Sequence, residues 1–188
     1  MEQDKRVLLH ICCAPCSIYP VKELTGSGYS VTGYWFNPNI QGYREYSRRL
    51  MTLGYYARKS GLDIFEEPYN VEEWFAAAGG GISVQRCRDC YKLRIDRTAR
   101  EAASRGYGFF STTLLYSRFQ DHDAVKEAAG EASARHGVEF LYEDFREGWK
   151  EGIRISRSMG LYRQQYCGCI FSEIERYDVS EKSQNIRV

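Results

Sequence analysis

The sequence predicts an α/β fold in which a parallel sheet of about five strands is covered by helices on both faces. Two observations lead to this fold class. Short apolar segments that are typical of buried strands alternate with longer segments of helical periodicity along the 188 residues. Strands that are separated by helices are joined by crossovers and therefore run parallel. We expect a single domain over residues 1–188, in which residues 178–188 form a flexible tail.

Five short segments predict the strands of this sheet. They are rich in β-branched and aromatic side chains, and turn residues follow several of them. The first is apolar over most of its length and predicts a buried strand. In chain order, the predicted strands are residues 7–12, 31–36, 63–66, 109–113 and 138–142.

Five longer segments predict the main helices. A glycine marks the predicted end of four of them, at Gly26, Gly61, Gly106 and Gly137, as is common where a helix ends. The predicted helices are residues 17–25, 43–60, 71–78, 88–105 and 121–136, and helical turns are expected to continue to about residue 159.

Three loops that follow predicted strands are expected to meet at one edge of the sheet. In open parallel sheets, ligands bind outside the carboxyl ends of the strands. Cys12, Cys13 and Cys16 follow the first strand, residues 37–39 follow the second, and residues 114–120 follow the fourth. The first cysteines are therefore predicted to lie at the ligand-binding edge.

All seven cysteines of the chain fall into three groups. The groups are Cys12-Cys13-x-x-Cys16, Cys87-x-x-Cys90 and Cys167-x-Cys169. Two residues between thiols let both sulfurs bind one zinc ion or iron–sulfur cluster, and a helix N-terminus stabilises thiolates. A lone cysteine is more often a buried core residue, but core packing does not explain three groups with no cysteine left over. The pattern therefore predicts metal or redox chemistry.

The number of thiols leaves the kind of centre open. A structural zinc ion and a [4Fe–4S] cluster each take about four ligands, so the remaining thiols are free for a second metal or a redox-active pair. Cys167-Gly168-Cys169 suits such a pair, because a disulfide across one residue would be strained and easily reduced. The thiol count favours redox chemistry over a zinc site.

The composition gives no global attraction to nucleic acid or membrane. The net charge is +1 at pH 7, so any contact with nucleic acid must come from a local patch. No segment reaches the roughly 18 apolar residues of a membrane span, and the first residues do not resemble a signal peptide. We therefore expect a cytoplasmic protein without a membrane partner, in a compartment that keeps thiols reduced.

A nucleotide-binding loop is missing from the sequence. There is neither a G-x-G-x-x-G after a strand nor a G-x-x-x-x-G-K-[ST]. In the ATP-using members of the Rossmann-like PP-loop (HUP) folds, the first strand-to-helix turn is a phosphate loop of Ser and Gly. Here the same turn reads Cys-Cys-Ala-Pro-Cys-Ser at residues 12–17. This difference argues against ATP-driven tRNA thiolation, although such enzymes are also rich in cysteine.

Six sequence blocks give the chain a family resemblance. They are HICCAPC at residues 10–16, FNPNI at 36–40, EYxxR at 45–49, RCxxCYxxR at 86–94, STTLL at 111–115 and GLYRQQYCGC at 160–169. With these blocks the chain resembles the epoxyqueuosine reductases of the QueH family, and the last block is especially specific. Gln41-Gly42 and Arg118 depart from the family pattern, which has His-Pro and Pro there; both departures lie in predicted loops.

The resemblance implies an oxidoreductase that acts in the last step of queuosine synthesis. Its partner is tRNA that carries epoxyqueuosine at the wobble position of the anticodon. Electrons and protons convert the epoxide into an alkene, and water leaves. The resemblance also implies a [4Fe–4S] cluster with a further iron beside it, an external electron donor, and no cobalamin.

For this chemistry we expect the cysteines to divide into cluster ligands and a redox pair. The expected cluster ligands are Cys12, Cys13, Cys87 and Cys90. Adjacent side chains of a strand point apart, so this requires the chain to turn between the first two. Cys167 and Cys169 are expected to form the catalytic redox pair or to bind a second iron, together with Cys16. The sequence does not decide between these roles.

Contacts with RNA and the proton donor are less well defined. From the residues alone, the arginines near the cysteine motifs are better interpreted as solvated helix faces than as RNA contacts. The resemblance makes Arg49, Arg94 and Arg163 candidates for contact with the anticodon. Aromatic side chains near the predicted edge are candidates for stacking on bases, namely Tyr34, Tyr43, Tyr46, Tyr91, Tyr162 and Phe119. His10 adjoins a cysteine motif, but a packed histidine is the favoured interpretation, and no proton donor is assigned.

Two other functions remain open at this point. The first is a cysteine-rich tRNA sulfurtransferase of the PP-loop type, which would bind ATP. The second is a non-catalytic module that binds zinc and contains no iron.

Overall fold

The computed structural model describes residues 4–79 and 81–178, which form a five-stranded sheet in which all neighbouring strands are parallel. The strands lie in the order β3-β2-β1-β4-β5. Their bounds are β1 Arg6–His10, β2 Ser30–Trp35, β3 Asp63–Glu66, β4 Phe109–Thr112 and β5 Glu139–Phe140. The predicted fold class is confirmed.

Helices connect the strands and cover the sheet. The helices of the described residues are α1 Ala14–Gly26, α2 Tyr43–Ser60, α3 Val71–Ala78, α4 Val84–Ser104, α5 His122–His136, α6 Trp149–Ser158 and α7 Ile170–Tyr177, with short 3-10 helices at Thr113–Tyr116 and Phe145–Gly148.

The helices pack on both faces of the sheet. α1 packs against α2 and α6, and α4 packs against α5. The chain adds β2 and β3 on one side of β1 and then adds β4 and β5 on the other side. Because such crossovers are right-handed, this reversal places α1 and α2 on one face and α4 and α5 on the other.

β1 lies at the centre of the sheet and determines where a ligand can bind. Val7, Leu8, Leu9 and His10 are fully buried in it. The strand order reverses between β1 and β4, so a crevice opens at the carboxyl ends of these two strands. The loop that begins at Ile11 therefore enters the crevice, as the sequence predicted.

The turn after β1 is tighter than the sequence predicted. The strand ends at His10, two residues before the predicted end at Cys12, and α1 begins at Ala14 instead of residue 17. Pro15 lies in the first turn of α1, where its missing N–H group costs nothing. Both cysteines at positions 12 and 13 consequently lie in the turn and not in the strand.

Side-chain caps explain two further differences from the predicted boundaries. α4 begins four residues before the predicted position 88, because Ser83 Oγ accepts a hydrogen bond of 3.1 Å from the Arg86 backbone N–H. α7 was not predicted, and it begins after Cys169, whose Sγ accepts a hydrogen bond of 3.3 Å from the Ser172 backbone N–H. One cap precedes the second cysteine motif by four positions, and the other is a cysteine of the third motif.

The structure bears on the predicted absence of a membrane span but not on the predicted tail. No helix within residues 4–79 and 81–178 is both long and apolar enough to cross a membrane. The predicted flexible tail at residues 178–188 lies outside the described residues except for Asp178, and both the tail and the single-domain organisation stay predictions.

Gly148 packs closely against Tyr19 of α1, and a substitution there tests this contact. A Cβ atom added to Gly148 would overlap the ring of Tyr19 in α1. We expect Gly148→Ala to lower the free energy of unfolding by about 1–3 kcal/mol, the usual cost of overpacking. Gly130→Ala in α5 is the control, because no atom lies within 4 Å of its added methyl group and alanine favours a helix. Urea unfolding measures both variants, and equal stability of the two would contradict this packing.

Candidate metal centre

The turn between β1 and α1 brings three cysteine sulfurs together. The Sγ atoms of Cys12, Cys13 and Cys16 all lie within 4.8 Å of one another, and those of Cys12 and Cys13 are 4.0 Å apart. The sulfurs of the adjacent Cys12 and Cys13 can converge because the chain bends at Cys12, just before α1 begins at Ala14. Sulfurs that share a metal ion at bond lengths of about 2.3 Å are on the order of 4 Å apart. The triad therefore has a spacing compatible with metal binding.

Two side chains donate hydrogen bonds to this triad. Thr113 Oγ1 donates to Cys12 Sγ at 3.3 Å and accepts from the Cys12 backbone N–H at 3.0 Å. Gln164 Nε2 lies 3.0 Å from Cys13 Sγ and 3.8 Å from Cys16 Sγ. Donors that point at sulfur stabilise the thiolate, which is the form that binds metals.

The three thiols of the triad differ in acidity. Hydrogen bonds from Cys13 and Cys16, and a further one from Thr113, hold the pKa of Cys12 well below its ordinary value although burial opposes this. Burial and the hydrogen bond with Cys12 raise the pKa of Cys13. Hydrogen bonds with Cys12 and Cys13 raise the pKa of Cys16. Cys12 is thus the most acidic thiol of the triad, because hydrogen bonds from its two neighbours favour its ionised form.

The other four cysteines line a cavity of about 120 Å³. Cys87 and Cys90 lie in the first two turns of α4, whereas Cys167 and Cys169 belong to the segment before α7. Cys90 and Cys169 are buried, and Cys167 is exposed. The four sulfurs are less closely spaced than the triad, which is the only set of three or more possible metal ligands within 4.8 Å among the described residues.

Arg94 is a buried cation that lies near both groups of cysteines. Its side chain is 1% exposed. Burial opposes its charge, but Cys90, Cys167 and Cys12 raise the pKa of Arg94. Nη1 donates to Asn39 Oδ1 at 3.0 Å, whereas Nε and Nη2 have no hydrogen-bond partner among the described residues.

Arg86, at the start of α4, is a second buried cation that lies beside a cysteine sulfur. It is 5% exposed, and its Nη2 donates to Cys87 Sγ at 3.5 Å and to Glu175 Oε1 at 3.0 Å. Its Nε and Nη1 atoms are buried without a hydrogen-bond partner among the described residues. Burying a charged group with unpaired N–H groups is costly unless an anion lies beside it.

These residues fit an iron–sulfur cluster. Cysteine thiolates are the ligands of such clusters, and hydrogen bonds and charges near the sulfurs tune their reduction potentials. Thiolate ligands bring negative charge to the site, and Arg86 and Arg94 supply buried positive charge and free N–H donors next to the thiols. The donor set is thus compatible with a cluster of this kind.

The three arginines predicted to contact RNA lie in different environments. Arg49 is 2% exposed, and its Nη1 and Nη2 atoms donate to the carbonyl oxygens of Cys167 and Tyr166 at 2.9 and 3.2 Å. Arg94 is buried between the cysteine groups, as described above. Arg163 is half-buried, so part of it faces solvent. Contact of any of the three with the anticodon stays a prediction.

His10 is a packed, neutral histidine, as the sequence favoured. The carbonyl oxygen of Phe36 can only accept a hydrogen bond, so His10 Nε2 donates to it at 3.2 Å. In the neutral ring Nδ1 is then the acceptor, and the Thr112 hydroxyl donates to it at 2.9 Å. Burial and the nearby Arg94 lower the pKa of His10 to about 3. Both ring nitrogens are in use, so His10 is not a free proton donor.

Sequence reasoning gave no role to Thr113 or Gln164. Thr113 follows β4 directly, and this position was a signal that it lies at the binding edge. Gln164 lies in a segment without helix or strand, so no local pattern indicated its contact with Cys13.

The aromatic side chains predicted to stack on bases differ in exposure. Phe119 is 83% exposed at the cysteine cavity, and Tyr43 is also exposed. Tyr162 is half-buried, and the remaining three are buried, namely Tyr34, Tyr46 and Tyr91.

Solved structures share the fold of this chain at low sequence identity. A predicted subunit of tRNA methyltransferase from Methanocaldococcus jannaschii aligns with a TM-score of 0.54 and 13% identity over 80% of this chain and 74% of its own. The U34-tRNA thiolase NcsA from Methanococcus maripaludis with its [4Fe-4S] cluster aligns with a TM-score of 0.54 and 14% identity over 98% of this chain and 67% of its own. These similarities establish the fold alone.

Sequence comparison identifies a closer relationship. Residues 7–175 match the family Epoxyqueuosine reductase QueH. The protein of that name from Dehalococcoides mccartyi is 40% identical over 92% of this chain and 94% of its own length. The Thermotoga maritima protein of the same name is 35% identical over 90% and 91%, respectively. The match covers all seven cysteines, and the chain belongs to the epoxyqueuosine reductase QueH family.

Proposed function

We propose that this chain reduces epoxyqueuosine to queuosine at the wobble position of tRNA, the final step of queuosine synthesis. Family membership supports the reaction and tRNA as the substrate. The observation in the structure that carries the proposal is the set of unpaired N–H groups on Arg86 and Arg94, buried beside cysteine thiols. The bacterial relatives support a cytoplasmic location, where tRNA is available and thiols are reduced.

The proposed cluster ligands are Cys12, Cys13, Cys87 and Cys90. Each pair is held by the start of a helix, α1 or α4, and rigid elements keep ligand positions fixed. Arg94 interacts with sulfurs of both pairs, Cys12 and Cys90, which supports a shared negative group between them. Cys16, the third member of the triad, is then available to a further iron.

Cys167 and Cys169 form the proposed redox pair. Cys167 is exposed as a residue, although its thiol lines the cavity and burial raises the pKa of that thiol to about 12. We propose that an external electron donor reaches it from the exposed side. Cys169 is buried and accepts a hydrogen bond from the Ser172 backbone N–H. When the two thiols form a disulfide, they release two electrons and two protons. These are what an epoxide needs to become an alkene and water. The external donor then returns the disulfide to two thiols.

A bound cluster would supply electron transfer at low potential. The residues of the chain would hold the cluster and stabilise its charge. Arg86 and Arg94 keep positive charge next to the thiols, and Thr113 and Gln164 hold sulfurs of the triad by hydrogen bonds. Phe119, exposed at the cysteine cavity, offers an aromatic face to an unstacked base.

The direct test of the function is the conversion of tRNA-bound substrate. Anaerobically reconstituted protein with a chemical reductant is expected to convert epoxyqueuosine in tRNA into queuosine, because the site provides both thiols and cluster ligands. Nuclease digestion and mass spectrometry of the nucleosides measure the conversion. Sulfur transfer to tRNA in the presence of ATP would instead support the sulfurtransferase. No conversion by protein with a full complement of iron would contradict the proposal.

Single cysteine substitutions test the division of the thiols. Serine at position 12, 13, 87 or 90 is expected to remove most of the iron and acid-labile sulfide, because each substitution removes a proposed cluster ligand. Cys167→Ser and Cys169→Ser are expected to keep the cluster and to lose turnover.

The same substitutions also test a different set of cluster ligands. If Cys167→Ser and Cys169→Ser lose the cluster while Cys12→Ser and Cys13→Ser keep it, the four cysteines that line the cavity are the ligands and the proposed division is wrong. Cys16→Ser is the control, because it changes the triad and leaves all four proposed ligands in place.

Arg94→Gln tests the role of buried charge. Loss of the guanidinium group disfavours the more negative reduced cluster, so we expect the midpoint potential to fall by about 60 mV, equivalent to a tenfold change for one electron. A redox titration followed by absorbance measures the potential. Arg100→Gln on the same helix is the control, because the Arg100 side chain is half-exposed. A potential that is unchanged or higher in Arg94→Gln would contradict the role.

A further inference from the structure

The segment that carries the proposed redox pair has no regular structure of its own. Residues 161–169 form neither helix nor strand between α6 and α7. A disulfide across one intervening residue nevertheless requires a defined direction for both side chains. Contacts from elsewhere in the fold must therefore hold this segment, here called the redox loop.

Arg49 in α2 provides the central contact. Its guanidinium group donates to two consecutive carbonyl oxygens of the redox loop, those of Tyr166 at 3.2 Å and Cys167 at 2.9 Å. Its Nε donates to Glu45 Oε1 at 2.7 Å. All three nitrogens of the side chain are thus occupied, and only 2% of the side chain is exposed.

Glu45 connects this contact to the beginning of the loop. Its second oxygen, Oε2, accepts a hydrogen bond of 2.7 Å from the Tyr162 hydroxyl. One ion pair on α2, Glu45 with Arg49, therefore holds both ends of residues 162–167. The Gln41 backbone N–H continues the pattern by donating to the carbonyl oxygen of Gly168 at 3.0 Å.

The loop passes very close to these partners. Gly168 has a φ of +133°, which favours glycine. A Cβ atom there would lie 3.0 Å from Ile40 Cγ1, 3.2 Å from Asn39 Nδ2 and 3.3 Å from Arg49 Nη1. The backbone between the two cysteines therefore lies close against α2 and the loop before it, and a larger residue would force these neighbours to shift.

We infer that Arg49 is a positioning residue for the Cys167–Cys169 pair: it fixes the backbone of the redox loop so that the two thiols can close a disulfide. This inference rests on the proposed function of the pair. When the pair is oxidised, two S–H bonds break and one S–S bond forms, and two electrons and two protons pass to the epoxide. A backbone that is held throughout the cycle keeps the effective concentration of one thiol at the other high.

This role differs from contact with RNA. The guanidinium group would have to release two carbonyl oxygens and Glu45 before it could bind a phosphate. A planar group with parallel N–H donors suits two neighbouring oxygens, whereas lysine offers only one amino group. The geometry therefore explains why arginine is present at this position of the EYxxR block.

The test compares Arg49→Gln with Arg58→Gln in anaerobic holoprotein. Arg58 lies on the same helix, is exposed and does not touch the redox loop in the described contacts. The equilibrium between thiols and disulfide at positions 167 and 169 is measured in dithiothreitol redox buffers by alkylation and peptide mass spectrometry. Turnover of tRNA, iron content and thermal unfolding are measured in parallel.

Arg49→Gln is expected to keep its iron and to lower the equilibrium constant for disulfide formation by about tenfold, as expected when reacting groups lose their fixed geometry. Its kcat is expected to fall by a similar factor without a change in KM for tRNA. Arg49→Lys is expected to lie between Arg49→Gln and the unchanged protein, and Arg58→Gln to match the unchanged protein.

An unchanged equilibrium constant in Arg49→Gln would overturn the inference. A rise in KM for tRNA alone would also overturn it and would support an RNA contact. The thiol–disulfide equilibrium needs no substrate, so it tests Arg49 even if the unchanged protein fails to convert epoxyqueuosine. If Arg49→Gln does not fold, Arg49→Lys provides the same comparison.

Discussion

The candidate site depends on positive charge that is buried next to cysteine sulfurs. Arg86 and Arg94 are almost fully buried, and each has two guanidinium nitrogens without a hydrogen-bond partner among the described residues. A protein interior tolerates such groups only where negative charge compensates them. Thiolates supply negative charge beside these cations, and the metal centre that we propose would add to it, so that cations and cysteines would stabilise each other. The positive potential of the two arginines stabilises ionised thiols, and it would also stabilise the negative charge that a metal centre gains on reduction.

Two of the three cysteine groups lie at helix starts, and the third lies in an irregular loop. Two groups lie at the starts of α1 and α4, next to the crevice where the strand order reverses. The third lies in an irregular loop that α2 holds through Arg49 and Glu45. Ligands of a metal centre benefit from rigid elements, whereas a thiol pair that cycles between two states needs a loop whose backbone is anchored from outside. This division is the physical basis of the proposed mechanism.

The sequence predicted much of this arrangement because the relevant signals are local. The alternation of strand and helix patterns gave the parallel sheet, and the position of Cys12 and Cys13 after β1 placed them at the binding edge. Predicted and observed bounds of α2 agree, since its Gly61 has the left-handed conformation of a helix end. The start of α4 was missed because the cap at Ser83 was not recognised.

Contacts between distant segments could not be predicted in the same way. Gln164 reaches Cys13 across 151 positions of the chain, and Arg49 reaches Cys167 across 118 positions. The sequence left the arginines near the cysteine motifs open between solvated helix faces and RNA contacts, because the burial of Arg49 and Arg94 depends on tertiary packing that no local pattern encodes. The division of seven thiols into a close triad and a cavity-lining group of four is likewise a result of the fold.

The most direct test of the central claim is the metal content of protein purified without oxygen. If buried arginines and thiolates hold an iron–sulfur cluster, the protein will be brown, with a broad absorption band near ~400 nm. About four or five irons per chain will accompany acid-labile sulfide, as a cluster plus one further iron requires. A colourless protein that takes up no iron on anaerobic reconstitution, or that carries only zinc, would contradict the account.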